Sequence, residues 1–123
     1  MLLMRLGNAV ITLITSSDIP LRMKILFICN QNKDRSRTAE DLFKDRFDVR
    51  SRGLYGGTLL ASGDITWADK VIVMEARQRT EIAARFPAEY LRAHILCWDV
   101  PDIYAYGQKE LVTILKERNT SLE

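Results

Sequence analysis

The chain has few of the residues from which metal sites, disulfide frameworks and pH-sensing clusters are built. It contains two cysteines, Cys29 and Cys97, and one histidine, His94, and none of them lies in a C-x-x-C pair or a His/Cys cluster. Neither a disulfide framework nor a zinc site is expected, and a lone histidine in the apolar stretch "RAHILCW" is more often structural than catalytic. This cysteine usage favours a reducing compartment, so we expect a cytoplasmic protein.

An excess of charge of one sign is also missing. Eighteen Lys and Arg face sixteen Asp and Glu, which leaves a formal net charge of +2 on 123 residues. This charge is too small and too dispersed to indicate a nucleic-acid partner, so any binding of an anion must depend on a local arrangement. With 47% apolar and 28% charged residues, the composition is typical of one globular domain.

Long hydrophobic runs are absent as well. The apolar part of the first 22 residues, between positions 6 and 14, is interrupted by glycine and polar side chains and is followed by no small-x-small cleavage site. It is too short to span a bilayer and a poor signal peptide, so neither export nor a membrane partner is expected. Residues 1–22 are interpreted as an extension, either an extra β-branched strand in "AVITLIT" or poorly ordered chain, before a domain over residues 23–123.

From residue 23 onward, strand and helix patterns alternate along the chain. Short apolar runs predict strands at 24–28, 48–53, 70–74 and 93–98, and helical periodicity predicts helices at 37–47, 75–86 (ended by Pro87) and 108–119. The Gly- and Ser-rich segment 54–64 is expected to be a loop or one irregular helical turn. This order predicts an α/β fold: a single three-layer domain with a small four-stranded parallel sheet and helices on both faces.

In such sheets, ligands bind beyond the carboxyl ends of the strands. This rule brings three loops to one edge: residues 29–35, residues from 75 onward, and residues 99–107. Cys29, Arg35 and the acidic, aromatic "DVPDIYAY" segment are therefore expected to share that edge. Cys97, in contrast, is expected to be structural, in the interior of a strand.

The stretch "CNQNKDRS", residues 29–36, stands between the first of these strands and the first helix. A loop that curls before a helix N-terminus can direct backbone N–H groups inward, and the helix dipole adds to this cradle for an oxyanion. The same field favours the thiolate of Cys29 as a nucleophile, while Arg35 can hold two phosphoryl oxygens and Ser36 can cap the helix and hydrogen-bond the thiolate. The stretch indicates a phosphate-attacking site, with a buried structural cysteine as the alternative.

The same residues resemble a known family. "ILFICNQNKDRS" resembles the phosphate-binding loop of the low-molecular-weight protein tyrosine phosphatases, whose pattern is V-x-F-V-C-x-G-N-x-C-R-S. Three further stretches match in order: "SRG" (51–53) resembles Ser-Ala-Gly, "WADKVIVME" (67–75) resembles A-D-x-I-x-x-M, and "VPDIY" (100–104) resembles V-x-D-P-Y of the general-acid loop. The resemblance covers residues 24 to about 115.

The resemblance implies roles for individual residues. Cys29 would be the nucleophile, Arg35 the phosphate clamp and Asp102 the general acid, although Asp99 lies only three residues before Asp102. The implied phosphate-binding residues are Asn30, Gln31, Asn32 (which would hold the loop in shape), Lys33, Asp34, Arg35 and Ser36, together with Tyr104, which with Tyr106 could flank an aromatic leaving group. No cofactor and no metal is implied.

Three residues depart from the family pattern. Gln31 replaces the loop glycine, Asp34 replaces the second loop cysteine, and Ile103 replaces the proline after the acid. The carboxylate of Asp34 would repel phosphate if it faced inward and would be harmless if it faced outward. The chain between Gly53 and Trp67 is also shorter than is typical of the family.

The implied function is that of a phosphomonoesterase which acts through a cysteinyl-phosphate on a phosphorylated protein or a small aryl phosphate, with inorganic phosphate or sulfate as a ligand of the loop. Three alternatives remain open at this point. They are a non-catalytic module that binds phosphate or phosphopeptides, an arsenate reductase, which would need a resolving cysteine and has only Cys97, and a phosphocysteine carrier.

Overall fold

The computed structural model describes residues 2–6, 9–13 and 21–122. Near the N-terminus, strands β1 (Leu2–Leu6) and β2 (Ala9–Leu13) pair antiparallel in a two-stranded sheet of their own. The remainder of the expected extension, residues 1, 7–8 and 14–20, lies outside the described residues, so that the two interpretations of residues 1–22 stay predictions.

The main sheet consists of four parallel strands in the order β4-β3-β5-β6. Its members are β3 (Lys24–Cys29), β4 (Asp48–Gly53), β5 (Lys70–Val73) and β6 (Ile95–Cys97). The two central strands, β3 and β5, carry the continuous apolar runs because both of their faces are covered by helices. The order reverses between β3 and β5, and at such a point the loops after adjacent strands diverge and leave a crevice.

The helices form layers on both faces of this sheet. They are α1 (Arg35–Phe43), α2 (Ser62–Trp67), α3 (Ala76–Arg85), α4 (Pro87–Arg92) and α5 (Lys109–Glu117), followed by a 3-10 turn at Asn119–Leu122. The predicted three-layer α/β fold with a four-stranded parallel sheet is confirmed. No helix among the described residues is long and apolar enough to cross a membrane.

Two buried clusters fill the spaces between sheet and helices. On the side of α1 and α5, Phe27 packs against Phe43 and Trp98 with ring centroids 5.8 and 5.4 Å apart. On the side of α2, α3 and α4, residues of the central strands pack with Ile65 and Ile82. Alternate residues of β3 therefore enter opposite clusters, and this holds the strand end that carries Cys29 from both faces.

Two further helices are present that the sequence does not predict in full. Helix α3 ends at Arg85, before Pro87 as expected, but Pro87 also opens α4, because a proline at the first helical position loses no hydrogen bond there. The last residues of segment 54–64, expected to be loop or one helical turn, form the start of α2, where the Asp64 carboxylate accepts a hydrogen bond from the N–H of Ala61 at 3.0 Å.

Other helix and strand boundaries also differ from the predicted ones. Helix α1 begins at Arg35, two residues before the predicted start, and ends at Phe43 rather than at residue 47. Strand β6 is only three residues long, so that Cys97 is not in a strand interior but is the last residue of an edge strand and is half-buried. The apolar pattern of residues 75–86 also predicts that Ala76 faces inward, but this residue is exposed at the first turn of α3.

Candidate active site

The loop from Cys29 to Arg35 leaves the end of β3 and runs directly into α1. Cys29 is the last residue of the strand and Arg35 is the first of the helix, and their exposed fractions are 3% and 1%. The chain reverses at Asn32, which has a φ of +51°, a left-handed conformation that asparagine tolerates better than most residues. Strand end, turn and helix start therefore place both side chains at the carboxyl edge of the sheet.

A short hydrogen-bonded chain lies behind the Cys29 thiol. The sulfur of Cys29 is 2.9 Å from Oγ of Ser36, and the Ser36 hydroxyl is 3.0 Å from Oδ1 of Asn32. Ser36 is fully buried and is the second residue of α1, so it is not the helix cap that the sequence predicts. The cap position belongs to Asp34, and Ser36 is left to contact the thiol.

Arg35 crosses from α1 to the loops after β5 and β6. Its Nη1 donates to the carbonyl of Val100 at 2.8 Å, and the guanidinium lies 3.5 Å from Glu75 Oε2 and 3.5 Å from Asp102 Oδ2. Its Nε–H is buried and has no hydrogen-bond partner among the described residues. Since a buried donor without a partner costs about 1–3 kcal/mol, this geometry suits a ligand that supplies an acceptor.

The loop of residues 99–107, here called the acid loop, approaches Arg35 from the end of β6. It contains Asp102, whose side chain is about half exposed and is oriented by its ion pair with Arg35. Asp99, the alternative acid, has a φ of +53° and accepts a hydrogen bond from the Cys97 thiol at 3.3 Å. The structure therefore brings Asp102, and not Asp99, into contact with Arg35.

A cavity of about 220 Å³ lies between the two loops. It is lined by six of the predicted site residues, namely Cys29, Gln31, Lys33, Asp34, Arg35 and Asp102. Two positive and two negative side chains thus surround the thiol. The cavity is about the right size for a phosphoryl group with part of its leaving group, and it lies at the sheet edge where the fold is expected to bind ligands.

The remaining predicted residues lie around this cavity rather than in its wall. Asn32 and Ser36 are behind the thiol, as described above, while Asn30 accepts a hydrogen bond from Gln78 at 3.0 Å and borders a neighbouring cavity of about 390 Å³. Tyr104 packs partly buried against the core on the α1 side. Tyr106 is half exposed, and its hydroxyl bonds to the carboxylate of Asp41.

Glycines of the opposing loop accommodate Gln31. A Cβ on Gly56 would lie 2.1 Å from Oε1 of Gln31, and a Cβ on Gly57, which has a φ of +67°, would lie 2.6 Å from the carbonyl oxygen of Gln31. The chain after β4 therefore approaches the Cys29–Arg35 loop more closely than side chains would permit. The absence of a side chain at position 56 leaves room for the Gln31 side chain, and Gly57 lets the two backbones approach at the Gln31 carbonyl.

The carboxylate of Asp34 is turned toward the acid loop. Its Oδ1 accepts a hydrogen bond from the backbone N–H of Tyr106 at 2.9 Å and makes none to its own helix. Asp34 still borders the cavity, but one of its oxygens is engaged outward.

Sequence reasoning missed three residues that support the site. Glu75 pairs with Arg35, and Oε1 of Gln78 accepts from the backbone N–H groups of Met74 and Glu75 at 2.7 and 3.0 Å. Thr38 accepts from the N–H of Gly107 at 3.0 Å. The E-x-x-Q spacing at the start of α3 is a helix-capping signal that could have identified the first two; Thr38 carries no such signal.

Cys97 lies at the end of β6, where burial raises the pKa of its thiol and the nearby Asp99 carboxylate adds to the effect. Among the described residues, no group of three or more His, Cys, Asp or Glu side chains is arranged to hold a metal ion.

No family model and no curated protein matches this chain significantly. Solved structures of phosphatases do match it, and the arginine phosphatase YwlE from Geobacillus stearothermophilus superposes with a TM-score of 0.67 at 19% identity, over 81% of this chain and 92% of its own. The tyrosine phosphatase Wzb from Escherichia coli K30, in complex with phosphate, gives 0.68 at 18% identity, over 83% and 96%.

A low-molecular-weight protein tyrosine phosphatase from T. tengcongensis gives a TM-score of 0.64 at 18% identity, over 77% of this chain and 91% of its own. At these identities the likeness is one of fold. The chain has the fold of the low-molecular-weight protein tyrosine phosphatases, as its sequence resemblance implies.

Proposed function

We propose that the protein is a cysteine-dependent phosphomonoester hydrolase that acts on phosphotyrosine or another aryl phosphate. The observation that carries the proposal is the pairing of two buried groups at one cavity: the Cys29 thiol, bonded to Ser36 at 2.9 Å, and the Arg35 guanidinium, whose buried Nε–H lacks a partner among the described residues. A nucleophile beside a guanidinium with one buried N–H still to be satisfied suits a tetrahedral oxyanion.

Arg35 is the proposed phosphate clamp. Its Nη1 is held by the Val100 carbonyl, which leaves Nε and Nη2 as the edge of the guanidinium that can donate two parallel hydrogen bonds to phosphoryl oxygens. The positive end of α1 and the backbone N–H groups of residues 30–34 add to this attraction. Lys33, exposed at the rim of the cavity, contributes a further positive charge.

The reaction that follows has two displacements at phosphorus. In the first, the Cys29 thiolate attacks, the bond to the leaving oxygen breaks, and Asp102 gives that oxygen its proton, which yields a cysteinyl-phosphate and the free alcohol. In the second, Asp102, now ionised, takes a proton from water as the water oxygen attacks phosphorus. The S–P bond breaks, and inorganic phosphate and the thiolate are released. Ser36 stabilises the thiolate in both steps.

The matching structures support this chemistry at the level of the phosphoryl group. Two of the phosphatases named above act on tyrosine and arginine phosphates respectively, and one was solved with phosphate bound. We propose inorganic phosphate or sulfate as a ligand of the Cys29–Arg35 loop, and a phosphorylated protein or small aryl phosphate as substrate, in the cytoplasm.

The test is hydrolysis of p-nitrophenyl phosphate by reduced protein, with vanadate as inhibitor. Cys29→Ser should abolish turnover because serine is a far weaker nucleophile, whereas the matched variant Cys97→Ser should retain it. Asp102→Ala should lower kcat for an ester with a basic leaving group, such as phenyl phosphate, by roughly 10²–10⁴-fold with little change in substrate affinity, the range typical of a general acid, and should lower kcat for p-nitrophenyl phosphate by less. Folded, reduced protein that binds phosphate but never hydrolyses the ester would refute the enzyme and select the binding module.

A further inference from the structure

Asp34 occupies a position from which an aspartate usually caps its own helix. At the residue before α1 its carboxylate could accept from an N–H of the first turn, a bond that typically stabilises a helix by about 1 kcal/mol. It makes no such bond. Its Oδ1 instead accepts from the N–H of Tyr106, 72 residues further along the chain, at 2.9 Å. The capping group of α1 is used to hold another loop.

A second hydrogen bond beside it also runs from a backbone N–H of the acid loop to α1. The Thr38 hydroxyl, on the first turn of α1, donates to the carbonyl of Asp34 at 2.7 Å and accepts from the N–H of Gly107 at 3.0 Å. Both acceptors belong to the start of α1, and both donors are neighbouring backbone amides of the acid loop. The two bonds run in parallel and fix the C-terminal end of that loop against the helix.

At Asp102 itself the acid loop makes few contacts, although Val100 before it is buried and Tyr104 after it packs against the core. Ile103 is 73% exposed, and the Asp102 carboxylate is fixed by an ion pair of 3.5 Å at a half-exposed position, which is worth little by itself. The ends of the loop, at Asp99 and Gly107, both have positive φ values, of 53° and 71°. The segment after Tyr104 depends on hydrogen bonds to α1 rather than on packing of its own side chains, and these bonds help to determine where Asp102 lies.

We propose that Asp34 is a positioning residue for the general acid, because its carboxylate holds the acid loop across the mouth of the cavity and so keeps Asp102 over the leaving oxygen. The role rests on the phosphatase activity proposed above. The same bond explains how a carboxylate can be present beside the phosphate site, where a free carboxylate would repel the anion. The oxygen that accepts from Tyr106 is turned away from the anion.

The variants are Asp34→Ala, which removes the acceptor, Asp34→Asn, which retains a carbonyl oxygen at the same place, and Asp45→Ala, a matched control at an exposed aspartate beyond the end of α1. Two esters separate acid positioning from phosphate binding. Phenyl phosphate has a strongly basic leaving group that needs the proton, whereas p-nitrophenolate is a much weaker base and needs it less.

For Asp34→Ala, kcat/KM for phenyl phosphate should fall about tenfold and that for p-nitrophenyl phosphate by less than about threefold, because only part of the general acid's contribution is lost. Asp34→Asn should recover most of the loss, and Asp45→Ala should behave as the wild type. An equal fall for both esters would overturn the role, since it would place the effect on phosphate binding or folding.

Amide hydrogen exchange provides a readout that does not depend on turnover. Loss of a charge-assisted bond should accelerate exchange at the N–H of Tyr106 about tenfold in Asp34→Ala and leave it unchanged in Asp45→Ala. Unchanged exchange at Tyr106 in Asp34→Ala would overturn the proposal. If the wild-type protein hydrolyses neither ester, the phosphatase function fails, and this exchange measurement still decides whether Asp34 holds the acid loop.

Discussion

Replacing Ser36 by alanine is expected to weaken the nucleophile without disturbing the phosphate clamp. The Ser36 hydroxyl has one hydrogen and two neighbours, the Cys29 sulfur at 2.9 Å and Oδ1 of Asn32 at 3.0 Å. While Cys29 is a thiol, its S–H can donate to Ser36, whose own hydrogen goes to Asn32. Once Cys29 is ionised, its sulfur can only accept, so the Ser36 hydrogen must turn toward it.

The size of the effect follows from this exchange of partners. A hydrogen bond to a charged acceptor contributes about 1.5–3 kcal/mol, and the bond to Asn32 that is given up is worth about 1 kcal/mol. The net stabilisation of the thiolate by Ser36 is therefore about 0.5–2 kcal/mol. Ser36→Ala should lower the rate of Cys29 alkylation at neutral pH by roughly two- to thirtyfold, because each 1.4 kcal/mol is a factor of about ten.

The assay is the rate of iodoacetamide modification of Cys29 at neutral pH, measured by mass spectrometry in a Cys97→Ser background so that one thiol reacts. Ser62→Ala, at an exposed serine that opens α2, is the matched control and should leave the rate unchanged. An unchanged rate in Ser36→Ala would refute the reasoning, because it would mean that the reactivity of Cys29 does not depend on this hydroxyl.

Three other outcomes are expected. Asp64→Ala should lower the free energy of unfolding in urea by about 2–3 kcal/mol, because this buried carboxylate pairs at 3.1 Å with both arginines of β4, which are partly exposed. A loss within about 0.5 kcal/mol, the usual range for surface changes, would contradict this. Gly57→Ala should lower the free energy of unfolding by about 1–3 kcal/mol, since φ is +67° there and a Cβ would meet the Gln31 carbonyl. The control Gly63→Ala, in α2 with open space around it, should be neutral or stabilising, and equal effects of the two changes would argue against the close approach. Burial raises the pKa of the Cys97 thiol, so this thiol stays protonated above the pH at which an exposed cysteine ionises. Its alkylation near neutral pH should therefore be slower in the native protein than in urea, and equal rates would contradict the raised pKa.

Most of the fold could be predicted because burial leaves a direct pattern in the residues. Strand β4 was predicted with its observed bounds, and the apolar runs of β3 and β5 identify strands that are covered on both faces. Helix α4 was missed because Pro87 at the end of one helical pattern is also a suitable first residue for the next, and the sequence alone does not distinguish the two. Strand β6 was overextended because an edge strand with one neighbour needs fewer paired residues than its apolar sequence suggests.

The candidate site was predictable where side chains carry the chemistry and not where the backbone does. Cys29, Arg35 and Asp102 lie in the segments that follow predicted strands, so the rule for parallel sheets brings them to one edge. The groups that orient them include the carbonyl of Val100 and the N–H groups of Tyr106 and Gly107. Every residue but proline offers such groups, so no residue type marks these positions.

The two departures of the loop from the family pattern each have a physical counterpart elsewhere in the chain. Gln31 brings a side chain to the place of a glycine, and the glycines that a close approach requires stand on the facing loop, at Gly56 and Gly57. Asp34 brings a carboxylate toward the anion site, and an N–H of the acid loop draws one of its oxygens away. A change of this kind at one position is tolerated when its steric or electrostatic cost is met by a partner in space, even when that partner is 72 residues away in the chain. The effect of Gln31 and Asp34 on phosphate binding by the Cys29–Arg35 loop therefore depends on residues 54–61 and 99–107, because these two segments determine where the two side chains lie.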